Sequence, residues 1–151
     1  MKDLLHFEDF EAGQVFELGE MPVTRAELLA FAGEFDPQPF HLDEEAARQS
    51  ILGGLAASGW HTASIAMRLL ADALLSRSTS QGSPGIERLR WLKPVLAGDS
   101  LSAETEVVSS RALKSRPELG LVHFLLRVSN QRGEVVMTQE NPILFLKRSV
   151  S

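Results

Sequence analysis

The chain has 151 residues, of which 44% are hydrophobic and 23% charged, enough for one folded domain with a sizeable core and unlike a disordered chain. Its net charge of −5 argues against nucleic acid as a partner, because neutralising phosphates requires a basic face. The absence of cysteine excludes disulfides, a thiolate nucleophile and thiolate metal sites, and leans toward a reducing, cytoplasmic setting.

The start, Met1 to Phe7, soon meets Glu8, Asp9 and Glu11, so neither a signal peptide nor a membrane span is expected. Gln14 to Leu18 alternates apolar and polar residues after the Ala12-Gly13 turn and predicts a short strand. Thr24, with Glu27 three positions on, forms a capping box that opens a helix. Leu28, Leu29, Phe31 and Ala32 give that helix an apolar stripe, and Gly33 is expected to close it. Asp43 to Gln49 predicts a second short helix, with acids in its first turn and Arg48 near its end. Ser58 to about Leu75 carries the longest helical pattern, with apolar residues around most of its circumference, so a largely buried helix is expected.

Arg77 to Gly85 is rich in Ser and Gly and reads as an exposed connection. Beyond it the periodicity becomes two, and Ile86–Leu92, Leu101–Ser109, Leu119–Asn130 and Glu134–Lys147 are predicted strands. Asn130 to Gly133 is the expected hairpin turn between the last two. Helices followed by a run of antiparallel strands predict an α+β domain whose sheet lays one face on the buried helix, with no internal repeat or boundary across 1–151.

The run Phe35-Asp36-Pro37-Gln38-Pro39-Phe40-His41 separates an acid and an imidazole by five positions. Pro37 and Pro39 remove two backbone donors and drive Asp36 and Gln38 toward extended geometry, so a rigid, non-helical loop is expected. Asp36 and His41 can there share one water or one substrate proton, as general acid and base chemistry requires. The same residues also fit a plain Asp-Pro turn leading into the helix that starts at Asp43.

This stretch resembles the signature of MaoC-like acyl dehydratases and (R)-specific enoyl-CoA hydratases, in which Gly-Asp, any residue, Asn, Pro, an apolar residue and His follow a helix. Asp36, Pro39, Phe40 and His41 match in register; Phe35 stands where the family usually has Gly, and Gln38 where it usually has Asn. Gln38 keeps an amide on a longer arm, so the loop geometry, not the catalytic pair, is where a difference is expected. Trp91 to Leu101 also resembles the family's strand, Lys-Pro-Val turn and Gly-Asp entry to the next strand, which extends the likeness from about Val15 to Lys147.

The resemblance implies a hotdog fold, a strongly curved sheet around one long helix, in a homodimer or higher homo-oligomer. It implies hydration of a trans-2-enoyl-CoA to the (R)-3-hydroxyacyl-CoA, or the reverse, on a CoA or carrier-protein thioester and with no other cofactor. Asp36 and His41 would hold the attacking water. Gly59, in the glycine-rich entry Leu52 to Thr62, would point its N–H at the thioester carbonyl, with Ser58 in place of the family's usual His. A glycine cluster before a helix also fits tight packing, with Ser58 as a helix cap.

Gln38, Phe40, Ser58, Trp60 and Lys93 are expected to contact the substrate. His61, beside Trp60, reads as a satisfied structural residue, His6 and His123 have no evident partner, and no metal site is expected. Two other functions remain open at this point. One is a thioesterase of the same fold, which directs water at the carbonyl carbon and needs no paired His. The other is an acyl-CoA-binding or assembly subunit without activity, against which the presence of both Asp36 and His41 argues.

Overall fold

A computed structural model describes residues 3–148; the first two residues of the predicted amino-terminal segment and the last three of the expected domain lie outside them. Strand β1 (Val15–Pro22) leads to helix α1 (Arg25–Phe35), two short helices α2 (Pro39–Leu42) and α3 (Glu44–Arg48), and the long helix α4 (Gly59–Ala73). Strands β2 (Ser80–Gly82), β3 (Arg88–Trp91), β4 (Ser100–Ala112), β5 (Leu119–Ser129) and β6 (Val135–Leu146) follow. They form one antiparallel sheet of order β1-β4-β5-β6-β2, with β3 also paired to β6. The long β6 thus serves two short strands, β3 along Met137–Glu140 and β2 at Leu144 and Phe145. No helix among the described residues is long and apolar enough to cross a membrane.

Register shifts between Glu17 and Gly19 in β1 and between Val107 and Ser109 in β4 bend the sheet, and Gly19 takes φ 89 at the first of them. The curved face receives α4 through Ile65, Ala66, Leu69 and Leu70, which join Phe124, Phe145, Leu101, Leu126 and Met137 in one core. Burial of large apolar side chains between helix and sheet is the main stabilising contribution, on the order of 2 kcal/mol for each.

Several boundaries differ from the expectation. Helix α1 runs through Gly33 to Phe35, because Gly33 does not enter the left-handed region; the Asp36 N–H closes the helix on Ala32 O. At its start Thr24 Oγ1 accepts from Glu27 N at 3.2 Å, one half of the expected box. The long helix buries one face rather than most of its circumference, and Met67 and Arg68 are exposed. A short 3-10 turn, Leu75–Arg77, ends where the Ser/Gly-rich connection expected from Arg77 to Gly85 begins, and that connection contains strand β2. The strand expected from Ile86 starts at Arg88.

The non-helical reading of the Asp36–His41 loop holds only as far as Gln38. Pro39 begins α2, since a first helical position needs no N–H and favours the φ that proline fixes, while Gln38 keeps the extended φ −85, ψ 145 that precedes a proline. His41 therefore sits on a single helical turn, not on an irregular loop.

Candidate active site

His41 is buried at 6% exposure, and its Nδ1 lies 2.8 Å from Ala56 O. A carbonyl only accepts, so Nδ1 carries the proton, and in the neutral ring Nε2 presents a lone pair. That Nε2 lies 3.4 Å from Asp36 Oδ2. The arrangement depends on Ala56, which is held against the Lys-Pro-Val turn by an Ala56–Leu96 bridge and by Ala57 N donating to Val95 O at 2.7 Å. The turn is in turn fastened by buried Asp99, whose Oδ2 accepts from Leu96 N at 2.9 Å and whose Oδ1 accepts from Gln131 Nε2 at 2.8 Å.

Asp36, at the C-cap of α1, accepts from Gln38 Nε2 at 2.6 Å on Oδ1 and from Ser58 Oγ at 2.8 Å on Oδ2. The Gln38 amide foremost, then the Ser58 hydroxyl and His41, hold its carboxyl below the usual carboxylate range, against the opposing effect of burial. Gln38 thus serves the carboxylate with its side-chain amide. Ser58 is fully buried and stands behind Asp36 rather than in the cleft, so the expected substrate contact is replaced by a contact to the acid. Its Oγ also caps α4, accepting from Trp60 N at 3.3 Å.

A cleft of about 560 Å³ opens beside the pair, lined among others by Asp36, Gln38, Phe40, His41, Gly59, Trp60 and Lys93. Phe40 packs edge-on against His41, with centroids 4.5 Å apart. Gly59 is the first residue of α4, and its N–H has no partner among the described residues, as expected for the orphan donors of a helix start. Lys93 lies in the lining but is paired with Glu134, whose carboxyl is lowered to about 2 by Lys93 first and then by Asn130 and Arg132. Its charge is therefore already engaged.

Trp91, not anticipated from the sequence as a site residue, also lines the cleft. A Cβ at Gly59 would meet indole atoms of Trp91 at 2.4, 2.7 and 2.8 Å, and Trp91 Nε1 donates to Gly59 O at 2.8 Å. Glycine at 59 thus makes room for the indole, which any Cβ there would have to push aside, whatever its N–H does. The available signal was the alternation of β3, which puts Trp91 on the face of Leu89, a residue packed against the core. Thr62, one turn after Gly59, also lines the cleft and was not anticipated.

His61 faces away from the cleft and stacks on Phe31 of α1, with centroids 4.8 Å and planes 10° apart. It is not the satisfied histidine expected, because its buried Nδ1 has no hydrogen-bond partner; burial lowers its pKa, with Glu27 opposing. His123 has a partner that was not foreseen, Glu87 at 3.7 Å. Among the described residues, no three His, Asp or Glu side chains come together as metal ligands.

The model of the MaoC-like domain matches residues 9–123 of the chain. The MaoC-like dehydratase from Rhodospirillum rubrum is 45% identical, with TM-score 0.87, over 97% of this chain and 99% of that one. The (R)-hydratase from A. caviae, involved in PHA biosynthesis, is 28% identical with TM-score 0.72, over 90% of this chain and 97% of that one. The uncharacterized protein YdeM of Bacillus subtilis is 31% identical over 140 residues, which are 93% of this chain and 98% of that protein. The chain belongs to the MaoC-like dehydratase family and has its hotdog fold.

Proposed function

We propose that this MaoC-like chain adds water across the double bond of a trans-2-enoyl thioester to give the (R)-3-hydroxyacyl thioester, or catalyses the reverse dehydration. The observation that carries the reading is the pair of acceptors facing one cleft, ionised Asp36 Oδ2 and His41 Nε2, 3.4 Å apart. With neutral His41, neither atom has a proton to give the other, so a water donating one hydrogen to each fits between substrate and pair.

As the water oxygen bonds to C3 of the substrate, His41 Nε2 takes one water proton and the π electrons shift onto the thioester oxygen. The Gly59 N–H, helped by the positive end of α4, stabilises that oxyanion. Asp36 orients the water and stabilises the imidazolium, which then returns its proton to C2. Atoms balance as the addition of one water, and no prosthetic group is required, since the thioester itself acidifies the C2 proton.

Beyond its pairing with β6, β3 leaves an open edge among the described residues. We place a second copy there, because an unpaired edge of this kind is normally covered or paired.

The test is turnover of crotonyl-CoA, followed by loss of enoyl absorbance. Asp36→Asn and His41→Gln should each abolish most activity with the fold intact, and the double variant should be little worse than either single one, as for groups that act as a unit. Full activity in either single variant refutes the assignment.

A further inference from the structure

We propose that Trp91 is a specificity-determining residue of this cleft, a wedge that sets its width and restricts the acyl group to a slender, unbranched chain; this rests on the hydratase reading. The indole lies in the space that a side chain at position 59 would fill, 2.4–2.8 Å from a Cβ built there. Its N–H is fastened to Gly59 O at 2.8 Å, and its ring meets Trp60 edge-on at 5.2 Å. Strand β3 and the first turn of α4 are thus held one ring apart, and the cleft cannot widen between them without breaking that hydrogen bond.

The floor of the cleft is built differently. Ala56, Ala57, Thr62 and Val95 are buried and small or short, so they leave depth where Trp91 removes width. A branch on the carbon next to the double bond would meet a ring that has one side against Gly59 and so cannot retreat. In an apolar pocket a misfitted methyl group costs roughly a 10- to 200-fold factor in kcat/KM.

Trp91 is 45% exposed, so truncating it leaves the core in place. The experiment compares trans-2-pentenoyl-CoA with 4-methyl-2-pentenoyl-CoA, which differ by one methyl branch. The wild type should favour the straight substrate in kcat/KM by at least about tenfold. Trp91→Ala should bring the two within about threefold of each other, Trp91→Leu should fall between, and Trp91→Phe, which keeps a ring without the N–H, should retain most of the preference. A merely structural role would lower both rates together and leave the ratio unmoved.

A wild type without preference, or a ratio unchanged in Trp91→Ala, overturns the wedge. Should Trp91→Ala fail to fold, the ratio in Trp91→Leu decides in the same way. If the wild type hydrates neither thioester, the hydratase reading fails by itself. The wedge is then judged by calorimetric affinities for pentanoyl-CoA and 4-methylpentanoyl-CoA. A preference for the straight chain that is lost in Trp91→Ala supports it, and an unchanged preference refutes it.

Discussion

Replacing Gly59 tests whether its N–H stabilises an oxyanion, but only if packing is separated from hydrogen bonding. Any Cβ at 59 lies 2.4 Å from the nearest Trp91 atom, against about 3.5–4.0 Å for an ordinary carbon contact. The half-exposed indole must therefore move by more than an ångström and strain its bond to Gly59 O, an overpacking cost of about 1–3 kcal/mol. Gly59→Pro alone would mix this cost with loss of the N–H.

In a Trp91→Ala background the clash disappears, and Gly59→Ala and Gly59→Pro then differ chiefly in the N–H. Proline suits the site, since Gly59 is the first residue of α4 and Ser58 has the extended φ −54, ψ 140 that proline demands of its predecessor. Circular dichroism should show the two double variants equally folded. Turnover of crotonyl-CoA should be about 100- to 1000-fold lower with Pro than with Ala, the effect of one lost oxyanion donor, with little difference in affinity for butyryl-CoA. Equal turnover in the two would show that Gly59 serves packing alone.

Ser58→Ala removes both a donor to Asp36 and the cap of α4. Stability should fall by about 1 kcal/mol in denaturant melts. Because Ser58 also donates to Asp36, turnover of crotonyl-CoA should fall as well. His61, whose pKa is lowered by burial, remains neutral in the fold where the unfolded chain takes up a proton. Stability should thus be complete above about pH 6.5 and decline as pH falls below it. His61→Phe, which keeps the stack on Phe31 and removes the orphaned Nδ1, should flatten that decline and add on the order of 1 kcal/mol at pH 7. Light scattering at micromolar concentration should give the mass of at least a dimer, and a stable monomer would refute the pairing of β3 edges.

Most of the fold was legible because its signals are local. The period of two marked β4, β5 and β6, and Thr24 and Ser58 announced the starts of α1 and α4. Pro39 misled because proline both breaks a helix and starts one, and only its position relative to the turn decides which. Gly33 misled because glycine ends a helix only where the chain turns left-handed, and there it does not.

At the site, Asp36 and His41 were visible as a short-range motif, whereas their fixing depends on Ala56, Ser58 and Asp99, whose roles arise from long-range contacts. Trp91 was read only as part of a strand, since its approach to Gly59 spans 32 positions that no local pattern connects. Lys93 was expected to contact the substrate, and its pairing with Glu134, 41 positions on, is connected by no local pattern.

In the proposed reaction Asp36 and His41 direct water at C3 of an enoyl thioester. A crystal structure of Asp36→Asn soaked with crotonyl-CoA tests it most directly. The thioester oxygen should lie about 3 Å from Gly59 N, with C3 facing residue 36 and His41 Nε2. A complex in which the carbonyl carbon faces the pair and C3 lies away from it would refute hydration and point to thioester hydrolysis.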